Sequence, residues 1–443
     1  MNVTEAVDAV LPSVLDDLAT LVAIPSVSAS SAHDADVRRS AEWIAGKLTQ
    51  LGCPDVAIVA EGGQPAVIAH FAGPAGTPTV CLYAHHDVQP SGDPAKWSTG
   101  DPFVVKQQGD RLFARGVGDD KAGVMVHLAA LRAFEGRPPV GVTLFIEGEE
   151  EVGSPSLARL IERHRHELAA DVYVIADSGN WLVGTPAFTD TLRGLVDCVV
   201  EVATLDHALH SGQFGGAIPD ALTSLCRLLA TLHDDAGNVA IEGLGAMTDP
   251  DLDYPEHRLR AETGLLDGVQ LLGEGPIAGR LWTKPTATVL GIDATSVADA
   301  SNTLAPTARA KVSVRIAPDA DPTAAMAALT EHLRRHSPWG AQVTVTEGSC
   351  GSGTSIPFEG TASEAARAAF AEAWGVEPVF MGQGGSIPLI ADFQNAFPKA
   401  TVLVTAVCDP DSRPHGIDES LHLGDFAKAC LAEALLLQKL ATG

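Results

Sequence analysis

The chain has 443 residues, 46% of them hydrophobic and 19% charged, with 56 acidic side chains against 29 basic ones and a formal charge of −27. Such a surface repels nucleic acid and anionic membrane, so neither is expected as a partner. No apolar run is long enough to span a bilayer, and the composition suits a globular protein of about two or three domains with a sizeable core. The seven cysteines are scattered, without a CxxC pair, and the first nine residues carry two acids and no basic stretch. The expectation is a cytoplasmic chain without disulfides, a zinc ribbon or a secretory signal.

Taken in chain order, apolar spacing predicts helices over 4–23, stopping at Ile24-Pro25, and over 36–51, closed by Gly52. Strands follow over 66–71 and 79–84, then a helix over 122–134 and strands over 140–146 and 171–176. This alternation implies an α/β fold with a mostly parallel mixed sheet flanked by helices. A different rhythm begins near Asp190. It gives a strand over 195–203, a helix over 219–232 with Pro219 at its first position, strands over 286–292 and 308–317, a helix over 322–336 and a strand over 342–347. The order β-α-β-β-α-β is that of an inserted ferredoxin-like α+β domain. The segment 234–284 shows no regular pattern. After Gly351 the first rhythm resumes, with a helix over 362–374, a strand over 400–407 and a helix over 423–441. The predicted organisation is one domain made of 1–189 and 350–443, interrupted by a second at 190–349.

Ligands of open α/β sheets gather beyond the carboxyl ends of the strands. Here those ends are chemically loaded. The strand over 79–84 empties into His85-His86-Asp87, and the strand over 140–146 into the run Glu147 to Ser154. The strand over 171–176 ends at Asp177, and a loop after 400–407 carries His415. A further loop, Arg115 to Lys121, brings Asp119-Asp120 to the start of a helix. Each segment alone has an ordinary reading: a solvated acidic loop, a helix cap, a loop histidine. Together they bring imidazole and carboxylate to one rim, which suits Zn²⁺, Mn²⁺ or Co²⁺. Alternate strand residues share a face, so His85 and Asp87 can cooperate while His86 points away as a structural residue.

These residues also carry a resemblance. Tyr83 to Pro90, Arg115-Gly116 with Asp119-Asp120-Lys121, Glu147 to Ser154, His210-Ser211-Gly212 with Phe214-Gly215-Gly216, and Gly384 to Pro388 stand in order. The set resembles the dinuclear zinc metallopeptidase family of carnosinase, carboxypeptidase G and succinyl-diaminopimelate desuccinylase, and within it the carnosinase-type dipeptidase branch. The likeness implies two divalent metal ions, zinc first and manganese or cobalt as alternatives. One would be held by His85 and Asp177, the other by Glu151 and His415, with Asp119 bridging them. It implies that Asp87 orients the His85 ring and that Glu150 is the general base. It implies substrate contacts from His210, Asn302, Arg315 and Ser386, a cis peptide between Asp119 and Asp120, and a homodimer built through the inserted lid domain, with His210 serving the partner's site. Two positions depart from the family pattern, Ala122 for glycine and Ala305 for proline; neither is a ligand.

The implied activity is cleavage of dipeptides or short peptides bearing a free C-terminal carboxylate, by a metal-activated water with Glu150 taking its proton. Arg315 suits the carboxylate and His210 the oxyanion. The alternative is an N-acyl-amino-acid amidohydrolase working by the same mechanism.

Overall fold

The computed structural model describes residues 2–385 and 388–442. The chain divides into two compact units, the first formed by Met1–Asp190, Ile356–Met381 and Pro388–Gly443, the second by Thr191–Ser355 and Gly382–Ile387. The later boundary falls after the expected 349/350. The strand Gln342–Gly351 runs past its predicted end: after a register shift between Glu347 and Cys350 it pairs again with its neighbour as far as Gly351 opposite Leu195.

In the first unit the sheet runs Asp55–Val59, Ala66–Phe71, Gly141–Glu147, Thr79–His85, Val172–Ile175, Thr401–Thr405, Ala187–Leu192. Its centre is parallel: Thr79–His85 pairs with Gly141–Glu147 on one side and Val172–Ile175 on the other, and Val172–Ile175 with Thr401–Thr405. Its flanks are antiparallel. The central strands are buried almost without a break, from Val80 to His85 and from Val142 to Glu147. Continuous burial is what a parallel strand covered on both faces by helices requires. The helices Val3–Val22, Lys121–Ala133, Gly360–Trp374 and Leu423–Leu440 contribute the apolar residues that complete this core.

Polar residues tie the core to the strand that ends in His85. His127, within the helix Lys121–Ala133, has its Nε2 at 2.9 Å from the Tyr83 carbonyl and its Nδ1 at 2.8 and 2.9 Å from the two Glu433 carboxylate oxygens. A carbonyl on one side and a carboxylate on the other favour the ring protonated on both nitrogens. Burial disfavours that charge, but Glu433 outweighs it and raises the His127 pKa. Lys121 is equally buried, and its Nζ donates to the Leu21 and Ile24 carbonyls at 3.0 and 2.7 Å, where the first helix ends.

In the second unit four strands form an antiparallel sheet in the order Thr286–Asp293, Thr307–Ile316, Gly194–Ala203, Gln342–Gly351. With the helices Ala221–Ala230 and Pro322–Arg335 they follow the chain order β-α-β-β-α-β. The strand Thr307–Ile316 alternates exposed with buried residues, one face on a separate apolar core and one outward. The helix expected to begin at Pro219 begins at Ala221 instead. Asp220 caps it, its Oδ2 accepting from the Thr223 amide at 2.8 Å, and a carboxylate satisfies a first-turn amide that proline would leave open. The other Asp220 oxygen accepts from the Ala305 amide at 2.8 Å. Proline at 305 could not make that bond, which accounts for the departure there. The unpatterned segment 234–284 contains two short helices, Glu256–Thr263 and Ile277–Trp282.

Candidate metal centre and active site

All five expected ligands lie in the first unit. His85 closes the strand Thr79–His85 and is 1% exposed. Its Nδ1 faces the Asp87 carbonyl at 3.1 Å and the Asp87 carboxylate at 3.4 Å. Both are acceptors, so Nδ1 carries the proton and the Nε2 lone pair is left for a cation. That Nε2 lies 3.1 Å from Asp119 Oδ1 and 3.9 Å from Asp177 Oδ1. The second Asp119 oxygen, Oδ2, lies 3.0 Å from His415 Nε2, which is also 3.1 Å from Glu151 Oε2. Two donor sets result, His85–Asp119–Asp177 and Asp119–Glu151–His415, the donor atoms within each lying within 4.8 Å of one another. Asp119 belongs to both and turns one oxygen to each histidine.

The acidic run is no solvated loop. Glu147 is buried and accepts from the Tyr83 hydroxyl at 2.8 Å. Glu149 is buried and accepts from the Gln64 and Ser156 amides at 2.9 and 2.7 Å. Glu151 reaches His415, and Glu150 belongs to neither donor set, its Oε2 standing 3.9 Å from His85 Nε2. Burial first, then the neighbouring Glu151, Asp87 and Asp119, push the Glu150 carboxyl up to about 7 against the pull of His85. Asp87 does more than face His85: its two oxygens accept from the Glu150 and Glu151 amides at 3.2 and 3.1 Å. One carboxylate thus fixes both the first imidazole and the turn that presents the two glutamates. His86 points elsewhere, its Nε2 at 2.9 Å from the Pro65 carbonyl and its pKa lowered to about 4 by burial. The Asp119–Asp120 peptide is cis.

Two residues that sequence reasoning passed over hold this arrangement. Glu419 is fully buried and accepts from the Gly116, Gly118 and Asp119 amides at 2.9, 3.0 and 3.0 Å and from Arg115 Nη1 at 2.6 Å. It gathers the whole loop that carries Asp119. Gly116 makes the turn possible, at φ +78° and with a Cβ position only 2.4 Å from Val88 Cγ1. Gln89 does the same for Glu151, donating from its amide to Oε1 at 3.0 Å and from Nε2 to Oε2 at 2.9 Å. A carboxylate in a polar loop and a glutamine after a His-x-Asp triplet carry no such signal in the sequence.

The donors fit divalent cations. The carboxylates raise His85 well above its usual range against burial, and Asp119 and Glu151 raise His415 to about 10, so both imidazoles stand in a field that favours positive charge. No thiolate competes: burial, with Asp119 adding to it, pushes the Cys408 thiol far up. Nitrogen and carboxylate donors without sulfur suit zinc, manganese or cobalt.

The same architecture occurs in known proteins. The model of peptidase family M20/M25/M40 matches residues 81–439. The chain belongs to that family. This M20 peptidase is 34% identical to a cysteinylglycine-S-conjugate dipeptidase of Corynebacterium striatum, over 96% of its own length and 94% of that protein's. It is 28% identical to the Cys-Gly metallodipeptidase of Saccharomyces cerevisiae, over 99% and 97% of the two chains. Its fold matches the crystal structure of human carnosine dipeptidase 1 with a TM-score of 0.82 at 25% identity, covering 100% of this chain and 98% of that one. The M20 peptidase is therefore a metallopeptidase, a hydrolase of peptide bonds. No helix among its described residues is long and apolar enough to cross a membrane.

The expected substrate contacts lie in the second unit, apart from Ser386, which falls outside the described residues. His210 and Asn302 are brought together: His210 pairs with Thr303 across a two-stranded ribbon, and the Ser211 amide donates to the Asn302 carbonyl at 2.9 Å. The His210 Nδ1 accepts from the Gly212 amide at 3.0 Å, leaving its exposed Nε2 edge free. Arg315 lies on the strand Thr307–Ile316, opposite Thr286.

Proposed function

We propose that this M20 peptidase is a dinuclear metallodipeptidase that cleaves dipeptides or short peptides with a free C-terminal carboxylate. The observation that carries the reading is Asp119, shared between the two donor sets. Zinc is the first candidate, held by His85, Asp119 and Asp177 at one position and by Asp119, Glu151 and His415 at the other. When bound, the cations would supply an activated water and polarise the scissile carbonyl. The chain's residues supply the rest. Glu150, near the donors yet outside both sets, accepts the water's proton and passes it to the departing amine. Asp87 orients His85 and holds the amides of Glu150 and Glu151. His210 stabilises the oxyanion and Arg315 holds the substrate carboxylate, with Asn302 and Ser386 as further substrate contacts.

The names of the relatives favour dipeptides over N-acyl amino acids. The test is a panel of unblocked dipeptides against N-acetyl and N-succinyl amino acids on protein loaded separately with Zn²⁺, Mn²⁺ and Co²⁺. Dipeptides are expected to be turned over faster with every active metal; preferential cleavage of N-acyl amino acids would replace the dipeptidase reading with the amidohydrolase one. A cytoplasmic setting is part of the proposal, in keeping with seven cysteines that form no disulfide.

The proposal includes a homodimer through the second unit. The edge strand Thr286–Asp293 leaves Leu290 60% and Ile292 44% exposed, and an apolar edge with unpaired backbone groups is covered economically by a second copy of itself. His210 would then serve the partner's site. Sedimentation should give twice the chain mass. Mixing inactive Glu150→Gln chains with inactive His210→Ala chains should restore activity, since a mixed dimer contains one site with both residues intact. A monomer in sedimentation, or no recovery after proven subunit exchange, would overturn this.

A further inference from the structure

Arg193 is a buried cation without an anionic partner among the described residues. It is 8% exposed. Its Nη1 donates to the Lys284 carbonyl at 3.3 Å and to Thr286 Oγ1 at 3.2 Å, while its Nε has no partner. Thr286 is also the residue that pairs with Arg315 on the adjoining strand, so two arginines flank one threonine. No carboxylate is ion-paired with either of them among the described residues. The charge acting on Arg193 is Arg315 itself, which adds to burial in lowering Arg193 to about 10; Arg315 is lowered by burial alone. Gly384 closes over the same guanidinium, a Cβ there lying 2.9 Å from Nη2. All of these residues belong to the second unit.

Burying an unpaired charge is costly, and placing a second like charge beside it costs more. A core that wanted only a hydrogen bond to Thr286 could use a neutral side chain. The guanidinium spends Nη1 on protein acceptors and keeps the Nε–Nη2 edge, the edge that matches a carboxylate with two parallel bonds. Glycine at 384 lets the backbone pass close to that edge, where a Cβ would stand 2.9 Å from Nη2.

We propose that Arg193 and Arg315 form one carboxylate-binding subsite, in which Arg193 offers its Nε–Nη2 edge to the free carboxylate of the substrate. The proposal rests on the reading of the substrate as a carboxylate-bearing peptide and adds Arg193 as a specificity-determining residue beside Arg315. It also assigns a role to Gly384: any side chain there would press on the guanidinium that takes the substrate.

The test compares alanyl-glycine with alanyl-glycinamide on the metal-loaded wild type and on the variants Arg193→Gln and Arg193→Lys. For alanyl-glycine, Arg193→Gln should lose about 10–100-fold in kcat/KM, mostly through KM, the range for removing a charge-assisted double contact. For the amide the same variant should change little. Arg193→Lys keeps the charge without the fork and should fall between; it decides the matter if Arg193→Gln does not fold. Equal losses on acid and amide would make Arg193 a structural residue, and no loss on the acid would remove it from the site. If the wild type cleaves neither dipeptide, the dipeptidase reading fails, and N-acetylglycine against N-acetylglycinamide takes over the comparison. A turnover-free arm uses heat unfolding with added propionate or propionamide. Protection by propionate alone, lost in Arg193→Gln, is the expected result; protection retained in the variant would overturn the subsite.

Discussion

Replacing Glu150 with glutamine is expected to lower turnover by about 10²–10⁴-fold, the usual contribution of a positioned base, while both metal positions fill as before. Glu150 stands outside both donor sets, and its amide rather than its carboxylate is held by Asp87 at 3.2 Å. The substitution therefore leaves the anchoring of the turn intact and removes only the group that accepts a proton. Glu151→Gln should behave in the opposite way. Its carboxylate is one of the donors shared with His415 and Asp119 and is gripped at both oxygens by Gln89. That variant should need more metal for the same activity and recover much of its rate in metal excess. Metal content and kcat, measured on the two variants side by side, separate the roles. Metal loss from Glu150→Gln with full retention by Glu151→Gln would mean that the two assignments are reversed.

Asp119→Ala is expected to do more damage than any other single ligand change. Each remaining ligand serves one position, whereas Asp119 turns Oδ1 toward His85 and Oδ2 toward His415. Its removal leaves His85 and Asp177 on one side and Glu151 and His415 on the other, two donors each. Retention should weaken at both positions, by more than the roughly 10–100-fold that outer partners of a metal site usually cost. Elemental analysis after exhaustive dialysis should find two metals in the wild type and fewer than one in the variant. A wild type that saturates at one metal, with an active Asp119→Ala enzyme, would sink the dinuclear proposal. Asp177→Ala gives the control, since it should impair only the position shared with His85.

Much of this was legible in the sequence because of where it lies. The central strands are unbroken apolar runs, and runs such as Val80 to Ala84 stop abruptly at His85. Asp177 and the acidic run follow strands that read the same way, so the rim could be assembled from strand ends alone. What escaped acts through the backbone at long range. Glu419 binds amides some 300 positions away, at Gly116, Gly118 and Asp119, and no local pattern marks a side chain whose partners are main-chain groups of another loop. The short flanking strands Asp55–Val59 and Ala187–Leu192 escaped for a different reason. Half-exposed or interrupted, they lack the alternation or the continuous run on which strand prediction depends. Pro219 misled because proline at a first helical position and aspartate at a cap are both favourable, and only the structure shows that Asp220 prevails. Arg193 offered nothing to read: a lone arginine beside a glycine becomes notable only when Arg315 turns out to be the charge that acts on it.

The Glu419 contacts also say something about the order in which this protein is born. Domains emerge from the ribosome N-terminal end first, so the strand ending in His85, the Asp119 loop and the acidic run are all made while more than 250 residues are still to come. Until the segment around 408–420 arrives, the Asp119 amide and its glycine neighbours lack their carboxylate anchor, and one donor set lacks His415. A nascent or C-terminally clipped chain thus has the residues of the His85 set but only two of the three donors of the His415 set. The second set is complete only once the segment that carries His415 has been made, so the scissors gain their second blade late.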